Sequence, residues 1–320
     1  MKQKSKHSLS RRSFLATTST LAAATAFGAA DTDADKQQNR KPPVVFFTKH
    51  LGWLGYEELA EQMAEMGYDG ADLTVRPRGH VLPENVERDL PKAVEAIRKA
   101  GLEVSMITTD ISSADDQWTE PILKTTSQMG ITLYRIGGWH YASGVDIMPQ
   151  LREWNNRLKA LAELNAKYHI TAVYHNHSGK RYIGGPIWDI NLMLRDIDPD
   201  LIGSNYDIGH AFLEGSAGAW ETNFQLLAPK IRSSAVKDCA WFKTDKGWKS
   251  EFVPFGDGFV DWNLALTLMK NIGFSGPFSM HFEYDIPSGN TDKEKTANHV
   301  KVYKRDLQAL REEMKKVGWV

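Results

Sequence analysis

Histidine and acidic residues recur in this sequence directly after short apolar runs, where they could bind a metal ion or transfer protons. Seven of the ten histidines occupy such positions, in the segments Thr48-Lys49-His50, Arg76-Pro77-Arg78-Gly79-His80, Trp139-His140, Tyr174-His175-Asn176-His177, Asp207-Ile208-Gly209-His210 and His281-Phe282-Glu283. Imidazole with carboxylate is a ligand set suited to Zn, Mn, Fe or Co, and histidine also exchanges protons near neutral pH. A random distribution would scatter histidines over helices and loops. We therefore expect one shared polar site.

The rest of the composition limits which residues could bind a metal and which partners the protein could have. The single cysteine, Cys239, cannot form an internal disulfide or a thiolate-based metal centre, so a metal must be bound by His, Asp and Glu. The formal net charge is −1, but residues 1–30 contain five basic side chains and no acidic one, and removing those five charges leaves −6. A net-acidic body argues against a general nucleic-acid binder and against a binder of anionic membranes.

The elements that must position this site alternate regularly. Eight short apolar or β-branched runs predict strands, at Val44–Phe47, Gly70–Val75, Glu103–Thr108, Thr132–Gly137, Ile170–His175, Leu201–Asp207, Ile231–Lys237 and Phe278–Glu283. Amphipathic segments between them predict helices near residues 56–66, 89–100, 118–129, 150–168, 188–196, 220–228, 261–272 and 296–315. This alternation implies an α/β fold, a parallel (β/α)8 TIM barrel, which we expect as one domain over residues 44–320.

The predicted strands bring several polar side chains to the same end of the barrel, where such folds carry their chemistry. Because side chains alternate along a strand, His175 and His177 share one face, as do His281 and Glu283. Asp207 ends a neighbouring strand. We therefore expect a metal site that includes His175, Asp207 and Glu283. A single histidine at a barrel end more often only makes hydrogen bonds in a loop, and that alternative stays open for the others.

The first thirty residues resemble a twin-arginine export signal. The segment Ser10-Arg11-Arg12-Ser13-Phe14-Leu15 follows a basic start and precedes a stretch rich in Ala and Thr, which is too short and too polar to span a membrane. Cleavage after Ala30 would release a periplasmic protein, and residues 31–43 have the composition of a flexible linker. A basic tail beside a helix is the alternative interpretation.

Strands five to eight resemble the xylose-isomerase-like barrel superfamily of sugar isomerases, epimerases and inosose dehydratases. The likeness rests on Tyr174-His175-Asn176-His177-Ser178-Gly179, Asp207-Ile208-Gly209-His210, Val236-Lys237-Asp238 and the Gly276-Pro277 that precedes the strand of Glu283. That superfamily usually holds one divalent ion with Glu, Asp, His and Glu from strands five to eight. The resemblance places the Asp on Asp207 and the last Glu on Glu283. The first Glu falls on His175 and the His falls on Ala235, which are two departures.

The departures favour one kind of reaction. A 3-epimerase of free ketohexoses needs a carboxylate on each face of its substrate, and His175 replaces one of them. The run from Tyr174 to His177 resembles instead inosose dehydratase and exported relatives that process 3-oxo-sugars, whose shared chemistry is proton transfer next to a ketone. The resemblance therefore implies a metal-dependent, exported lyase or hydratase acting on a 3-oxo-sugar or 3-oxo-glycoside. A sugar or sugar-phosphate isomerase or epimerase, and a catalytically dead carbohydrate-binding barrel, are the alternatives.

The resemblance also implies a role for each candidate residue. The expected metal ligands are His175, Asp207, Glu283 and either His281 or His177. The expected catalytic groups are the proton shuttle His210 and the electrophile or oxyanion partner Lys237. Glu283 is the alternative base, in which case His281 would be the metal ligand in its place. The expected substrate contacts are Arg76, His80, Arg135 and His177. The ion would be Mn, Co, Zn or Mg, and the partner would be a small carbohydrate, with no nucleic acid and no membrane after signal cleavage; a homo-oligomer stays open.

Overall fold

Buried parallel strands form the centre of the molecule. The computed structural model describes residues 41–319. Strands such as the first, second and sixth are buried along their whole length, which is the pattern of a parallel sheet covered on both faces. The barrel strands are β1 Val44–Phe47, β2 Gly70–Thr74, β3 Glu103–Thr108, β4 Leu133–Arg135, β5 Thr171–His175, β6 Ile202–Asp207, β7 Ile231–Val236 and β10 Phe278–Met280.

Helices follow the strands along the chain. They are α1 Tyr56–Met66, α2 Val86–Lys99, α3 Thr119–Gln128, α4 Ile147–Tyr168, α5 Trp188–Met193, α6 Ile208–Leu227, α7 Trp262–Asn271 and α8 Asp292–Lys316. Asp207, Asp261 and Thr291 begin α6, α7 and α8 by accepting a hydrogen bond from the backbone N–H three residues ahead. Gly67 ends α1 in the left-handed conformation, at a φ of 90°, which glycine adopts without steric cost.

Helix α6 begins earlier than the sequence predicts. The apolar pattern indicates a helix only near residues 220–228, but α6 starts at Ile208, directly after β6. Three glycines and a kink at Ser216, whose φ is 46°, interrupt the helix before Trp220 and weaken the helical pattern in the sequence. The consequence for the site is that Asp207 lies at the junction of a strand and a helix.

The eight strands close into a barrel. β1 pairs with β2 on one side and with β10 on the other, and the order around the ring is β1, β10, β7, β6, β5, β4, β3, β2. All of these pairings are parallel. Apolar side chains between the strands and the surrounding helices form one continuous core. The protein is therefore an α/β TIM barrel in a single domain, which confirms the predicted fold.

The start of the barrel lies close to the beginning of the described chain. The first strand begins at Val44. The expected export signal over residues 1–30 lies outside the described residues, as do residues 31–40 of the linker expected over residues 31–43. Among the helices of residues 41–319, none combines the length and apolarity needed to cross a bilayer.

An antiparallel hairpin that the sequence analysis did not predict follows β7. It consists of β8 Asp238–Thr244 and β9 Gly247–Val253. The Asp238 carboxylate holds its base, because it accepts hydrogen bonds at 2.8–3.4 Å from the backbone N–H groups of Cys239, Gly256, Gly258 and Val260 and from the indole of Trp262. The loop packs so closely that a Cβ on Gly258 would come within 2.0 Å of Asp238 Oδ1. Asp238 is thus an anchor for the hairpin.

We expect Asp238→Ala to lower the free energy of unfolding by about 3 kcal/mol or more, because it leaves several buried donors without an acceptor. Urea denaturation followed by circular dichroism would measure the loss. Asp245→Ala, at the exposed hairpin turn, is the matched control and should change stability by less than about 0.5 kcal/mol. Equal stability of the two variants would contradict the anchoring role.

Candidate active site

Three buried residues meet at the carboxyl ends of the strands. His175 ends β5, Asp207 ends β6, and His281 directly follows β10. One ligand atom from each lies within 4.8 Å of the other two, and we call these three residues the buried cluster. β7 lies between β6 and β10, where Ala235 pairs with Asp207 and contributes only a methyl group. The strand order therefore assembles two imidazoles and one carboxylate from distant parts of the chain.

The buried cluster fits a divalent cation. Both ring nitrogens of His281 and Oδ2 of Asp207 are buried without a hydrogen bond, whereas buried polar atoms are ordinarily paired. Burial lowers the pKa of both histidines of the cluster, with Lys237 adding to the effect, and this keeps them neutral as ligands must be. Ligand atoms on one such ion lie about 3.4 Å apart in a tetrahedral site. A small side-chain adjustment would therefore place all three on one cation.

Hydrogen bonding and stacking hold the ring of His175. Asn205 Nδ2 lies 2.9 Å from His175 Nδ1, and Asn205 Oδ1 accepts a hydrogen bond from Ser233 Oγ at 3.0 Å. With the amide rotated, its oxygen would face Nδ1 instead, so the contact is compatible with both neutral tautomers of the ring. The His281 ring lies parallel to it, at an interplanar angle of 5° and a centroid distance of 5.6 Å. His175 Nε2 is thereby held 3.2 Å from Asp207 Oδ2.

The ammonium group of Lys237 is the main positive charge beside the buried cluster. It lies 2.9 Å from His210 Nε2, 2.9 Å from Glu283 Oε2 and 3.2 Å from Asp207 Oδ2. The residue is only 3% exposed, and the ring centroid of Phe252 lies 4.7 Å from Nζ. The contacts to His210 and Glu283 are hydrogen bonds, whereas the contact to Asp207 is an ion pair that leaves Oδ2 without a hydrogen bond. Lys237 is thus a fixed positive charge between two carboxylates.

Glu283 is paired with two lysines rather than with the buried cluster. Its Oε1 accepts from Lys49 Nζ at 2.7 Å and its Oε2 from Lys237 Nζ. Burial alone would raise the pKa of Glu283, but the two ammonium groups hold the pKa well below its usual range. Lys49 was not among the candidate residues of the sequence analysis, although its position directly after β1 was a signal.

Two histidines at the mouth of the barrel, His210 and His177, differ in how many of their ring nitrogens have a hydrogen-bond partner. His210 has both nitrogens engaged, because Nε2 accepts from Lys237 and Nδ1 then donates to Ser178 Oγ at 2.7 Å. His177 donates from Nδ1 to the carbonyl of Ser178 at 2.8 Å, and its Nε2 has no hydrogen-bond partner among residues 41–319. Burial lowers the pKa of both rings. Their centroids are 4.0 Å apart, so a free neutral imidazole lies beside a hydrogen-bonded proton path.

Three of the expected substrate contacts, Arg76, His80 and Arg135, lie at or after the ends of β2 and β4. Arg135 ends β4 and its buried Nε makes no hydrogen bond. Arg76 follows β2, with Nη1 3.7 Å from Asp110 Oδ1. His80 approaches Thr74 Oγ1 with Nδ1 at 3.1 Å, and its Nε2 is buried without a partner. Several donor groups at the ends of β2 and β4 are therefore available for substrate oxygens, and β4 is the neighbour of the strand of His175.

A carboxylate inside the barrel, Asp72, was missed by the sequence analysis. Its two oxygens accept hydrogen bonds from Thr108 Oγ1 at 2.7 Å and from Ser279 Oγ at 2.8 Å. Burial raises the pKa of Asp72, and these two hydrogen bonds oppose that rise. The alternation of polar Asp72 and Thr74 with apolar residues along β2 was the available signal. The hydrogen-bonded Asp72 carboxylate therefore makes the interior of the barrel polar below its mouth.

The chain belongs to the xylose isomerase-like TIM barrel family. The sequence model of that family matches residues 60–313. This confirms the superfamily to which the sequence motifs pointed. A search of curated proteins found no match to the chain.

Solved structures with the same fold have low sequence identity to the chain. The IolI protein with a bound zinc atom has a TM-score of 0.68 at 14% identity, covering 87% of this chain and 100% of its own. The 3-keto-D-glucoside 4-epimerase YcjR from E. coli has a TM-score of 0.64 at 12% identity, covering 85% and 100%. The probable 3-DHS dehydratase AsbF from Bacillus anthracis has a TM-score of 0.64 at 15% identity, covering 84% and 98%. At these identities the likeness shows the fold.

Proposed function

We propose that this protein is a divalent-metal-dependent sugar enzyme that moves a proton next to a ketone, acting as a lyase or hydratase on a 3-oxo-sugar or 3-oxo-glycoside. The observation that carries the proposal is the buried cluster, whose unpartnered imidazole and carboxylate atoms lie beside Lys237. Family membership supports an enzyme of carbohydrate chemistry. Neighbours that bind zinc or magnesium, and one that acts on a 3-keto-glucoside, support the choice of ion and substrate.

A divalent ion bound by His175, Asp207 and His281 would supply Lewis acidity toward a carbonyl oxygen. The remaining steps belong to the protein's own residues. His177 takes the proton from C2 of the sugar through its unpartnered Nε2. The electrons of the C2–H bond form the C1–C2 double bond, and the C1–O bond breaks with its electron pair leaving on the alcohol oxygen. Hydration follows the reverse course with water in place of the alcohol, because the water oxygen bonds to C1 and a proton is returned to C2.

The polar and charged groups beside His177 supply the other roles that the reaction needs. The hydrogen-bonded path from Lys237 through His210 to Ser178 passes a proton to the departing oxygen, and the proton that His177 took from C2 replaces it on this path. The fixed charge of Lys237 stabilises negative charge that develops on the substrate oxygen. Glu283, whose pKa is held low by two lysines, keeps Lys237 in place and accepts hydrogen bonds from sugar hydroxyls. The proposal thus gives His177 the role of base.

The direct test combines metal analysis with product identification. Purified protein would be assayed for bound divalent ions and incubated with methyl 3-oxo-glucoside. We expect about one ion per chain and release of methanol with an unsaturated or hydrated 3-oxo-sugar. A protein that retains no divalent ion, even after incubation with Mn, Co, Zn and Mg, and that releases no alcohol would rule out this function.

A sugar isomerase or epimerase is the second candidate. The observation that favours it is the presence of two separate proton-transfer groups, the free imidazole of His177 and the hydrogen-bonded His210. A reaction that removes a proton with one group and returns it with another needs such a pair. Exchange of the C2 proton with solvent, without released alcohol and without an unsaturated product, would identify this reaction.

The export assignment remains part of the proposal. We expect a fusion of residues 1–30 to a folded reporter to reach the periplasm, because Arg11 and Arg12 precede a short apolar stretch. Replacing both arginines with lysine should reduce periplasmic reporter to background in a cell-fractionation assay, while Lys2→Ala, which leaves the pair intact, should not. Undiminished export of the double variant would reject the twin-arginine route.

A further inference from the structure

The hairpin presents two exposed tryptophans on one face. Residues directly opposite each other in an antiparallel pair point to the same side, and the register places Cys239 opposite Phe252, Trp241 opposite Ser250 and Lys243 opposite Trp248. Trp241 and Trp248 are therefore on one face as diagonal neighbours, with backbones about 7–8 Å apart. They are 46% and 68% exposed. Phe242, which is 44% exposed, points to the other face.

The tryptophan face is continuous with the candidate active site. Phe252 is on this face, and its ring lies 5.1 Å from the ring of His210 and 4.7 Å from Lys237 Nζ. Cys239, the residue opposite Phe252, donates from Sγ to the Gly209 carbonyl at the start of α6. The face thus runs outward from the proton path, first through Phe252 and then through the two tryptophans.

The base of the hairpin is held in one position. Asp238 fixes it through five hydrogen bonds, and the backbone of β8 is paired with β9 over all seven positions. A binding surface that is already ordered loses little conformational freedom when a ligand binds. The two tryptophans are therefore presented at a defined distance from the reacting centre.

We propose that Trp241 and Trp248 bind the second ring of a glycoside, the part of the substrate that leaves as the alcohol. The proposal rests on the proposed function, which places the reacting ring beside His177 and Lys237. Aromatic faces bury apolar surface while their edges stay wet, and the polar partners Ser250 and Lys243 on the same face can bind hydroxyls. The substrate class that follows is a 3-oxo-glycoside with a second sugar ring, rather than a free 3-oxo-monosaccharide.

The composition of the hairpin argues against a second protein as the occupant. Stable protein interfaces bury about 800 Å² on each partner and are depleted of lysine at their centre. The hairpin has only seven residues in each strand, and Lys243, Lys246 and Lys249 surround its exposed end. A small aromatic face with a charged rim is better matched to a polar ring than to an apolar protein surface.

The test compares two substrates that differ by one ring. Steady-state kinetics would be measured with methyl 3-oxo-glucoside and with cellobiose oxidised at C3 of its non-reducing ring. In the double variant Trp241→Ala, Trp248→Ala we expect KM for the disaccharide to rise about tenfold, with kcat and the methyl glucoside kinetics unchanged. Phe242→Ala, an aromatic of similar exposure on the opposite face, is the matched control and should change neither substrate.

A binding measurement separates this proposal from the proposed function. By calorimetry, unoxidised cellobiose should bind the native protein more tightly than methyl glucoside, and the double variant should lose the difference, whether or not either 3-oxo compound is turned over. An equal rise in KM for both substrates, or no change for either and no loss of the calorimetric difference, would overturn the proposal. Sedimentation that shows a dimer of the native protein and a monomer of the double variant would also overturn it, by assigning the face to a second copy.

Discussion

Asp207→Asn is expected to lower turnover by about 100-fold or more and to remove most of the bound metal. Changing a residue that only hydrogen-bonds to a metal ligand typically lowers metal affinity or activity by about 10–100-fold. The loss of a hard anionic ligand should lower both at least as much. Asp207 is fully buried and its Oδ2 accepts no hydrogen bond, which leaves that atom available for a cation. Metal content by mass spectrometry, together with turnover, measures both effects.

His50→Gln is the control for this prediction. His50 is also a buried histidine near the mouth, but its Nε2 accepts the backbone N–H of Phe282 at 3.0 Å, so in the neutral ring the proton is on Nδ1 and no lone pair remains for an ion. We expect the variant to keep its metal. Glu283→Gln extends the comparison, because Glu283 is paired with Lys49 and Lys237; a large loss of turnover with metal retained would place it outside the ligand set. Full metal and full turnover in both carboxylate variants would show that the site is misplaced.

Lys237→Ala should slow proton transfer by about 10²–10³-fold while leaving substrate affinity nearly unchanged, since a charge that acts on the developing oxyanion acts mainly on the transition state. The measurement is deuterium incorporation at C2 of a 3-oxo-glucoside in heavy water, or the primary isotope effect with the C2-deuterated sugar. The native protein should show exchange or an isotope effect, and the variant should show the same chemistry at a much lower rate.

Lys49→Ala is the matched comparison for Lys237. Lys49 donates to the other oxygen of Glu283 but has no contact with Asp207 or His210, so we expect a smaller effect on the rate. A lysine that acted only in the structure would lower stability or affinity and leave the isotope pattern unchanged. The native protein with metal bound could show neither exchange nor an isotope effect on any 3-oxo-sugar or ketose. That result would remove the proton-transfer mechanism and favour the carbohydrate-binding alternative.

The barrel was predictable because its signals are local. Each strand is a short apolar run, and each is followed by an amphipathic helix, so the order of elements could be found without knowing any tertiary contact. The same logic placed His175, Asp207 and His281 at one end of the barrel, since the carboxyl ends of parallel strands lie together. No element was predicted for residues 238–253, because most side chains of the hairpin are exposed and its apolar pattern is weak.

What the sequence by itself determined is therefore the alternation of elements, the family, and the set of polar residues at the ends of the strands. Only the tertiary structure decided which of these residues touch. Lys49 and Glu283 are 234 positions apart, and their contact depends on closure of β1 against β10. The same holds for the contacts of Lys237, for the unpartnered Nε2 of His177 and for the shared face of Trp241 and Trp248, which depend on side-chain packing and strand register. Alternation along a strand predicts a direction for each side chain, but a hydrogen bond requires a distance that only the closed barrel supplies.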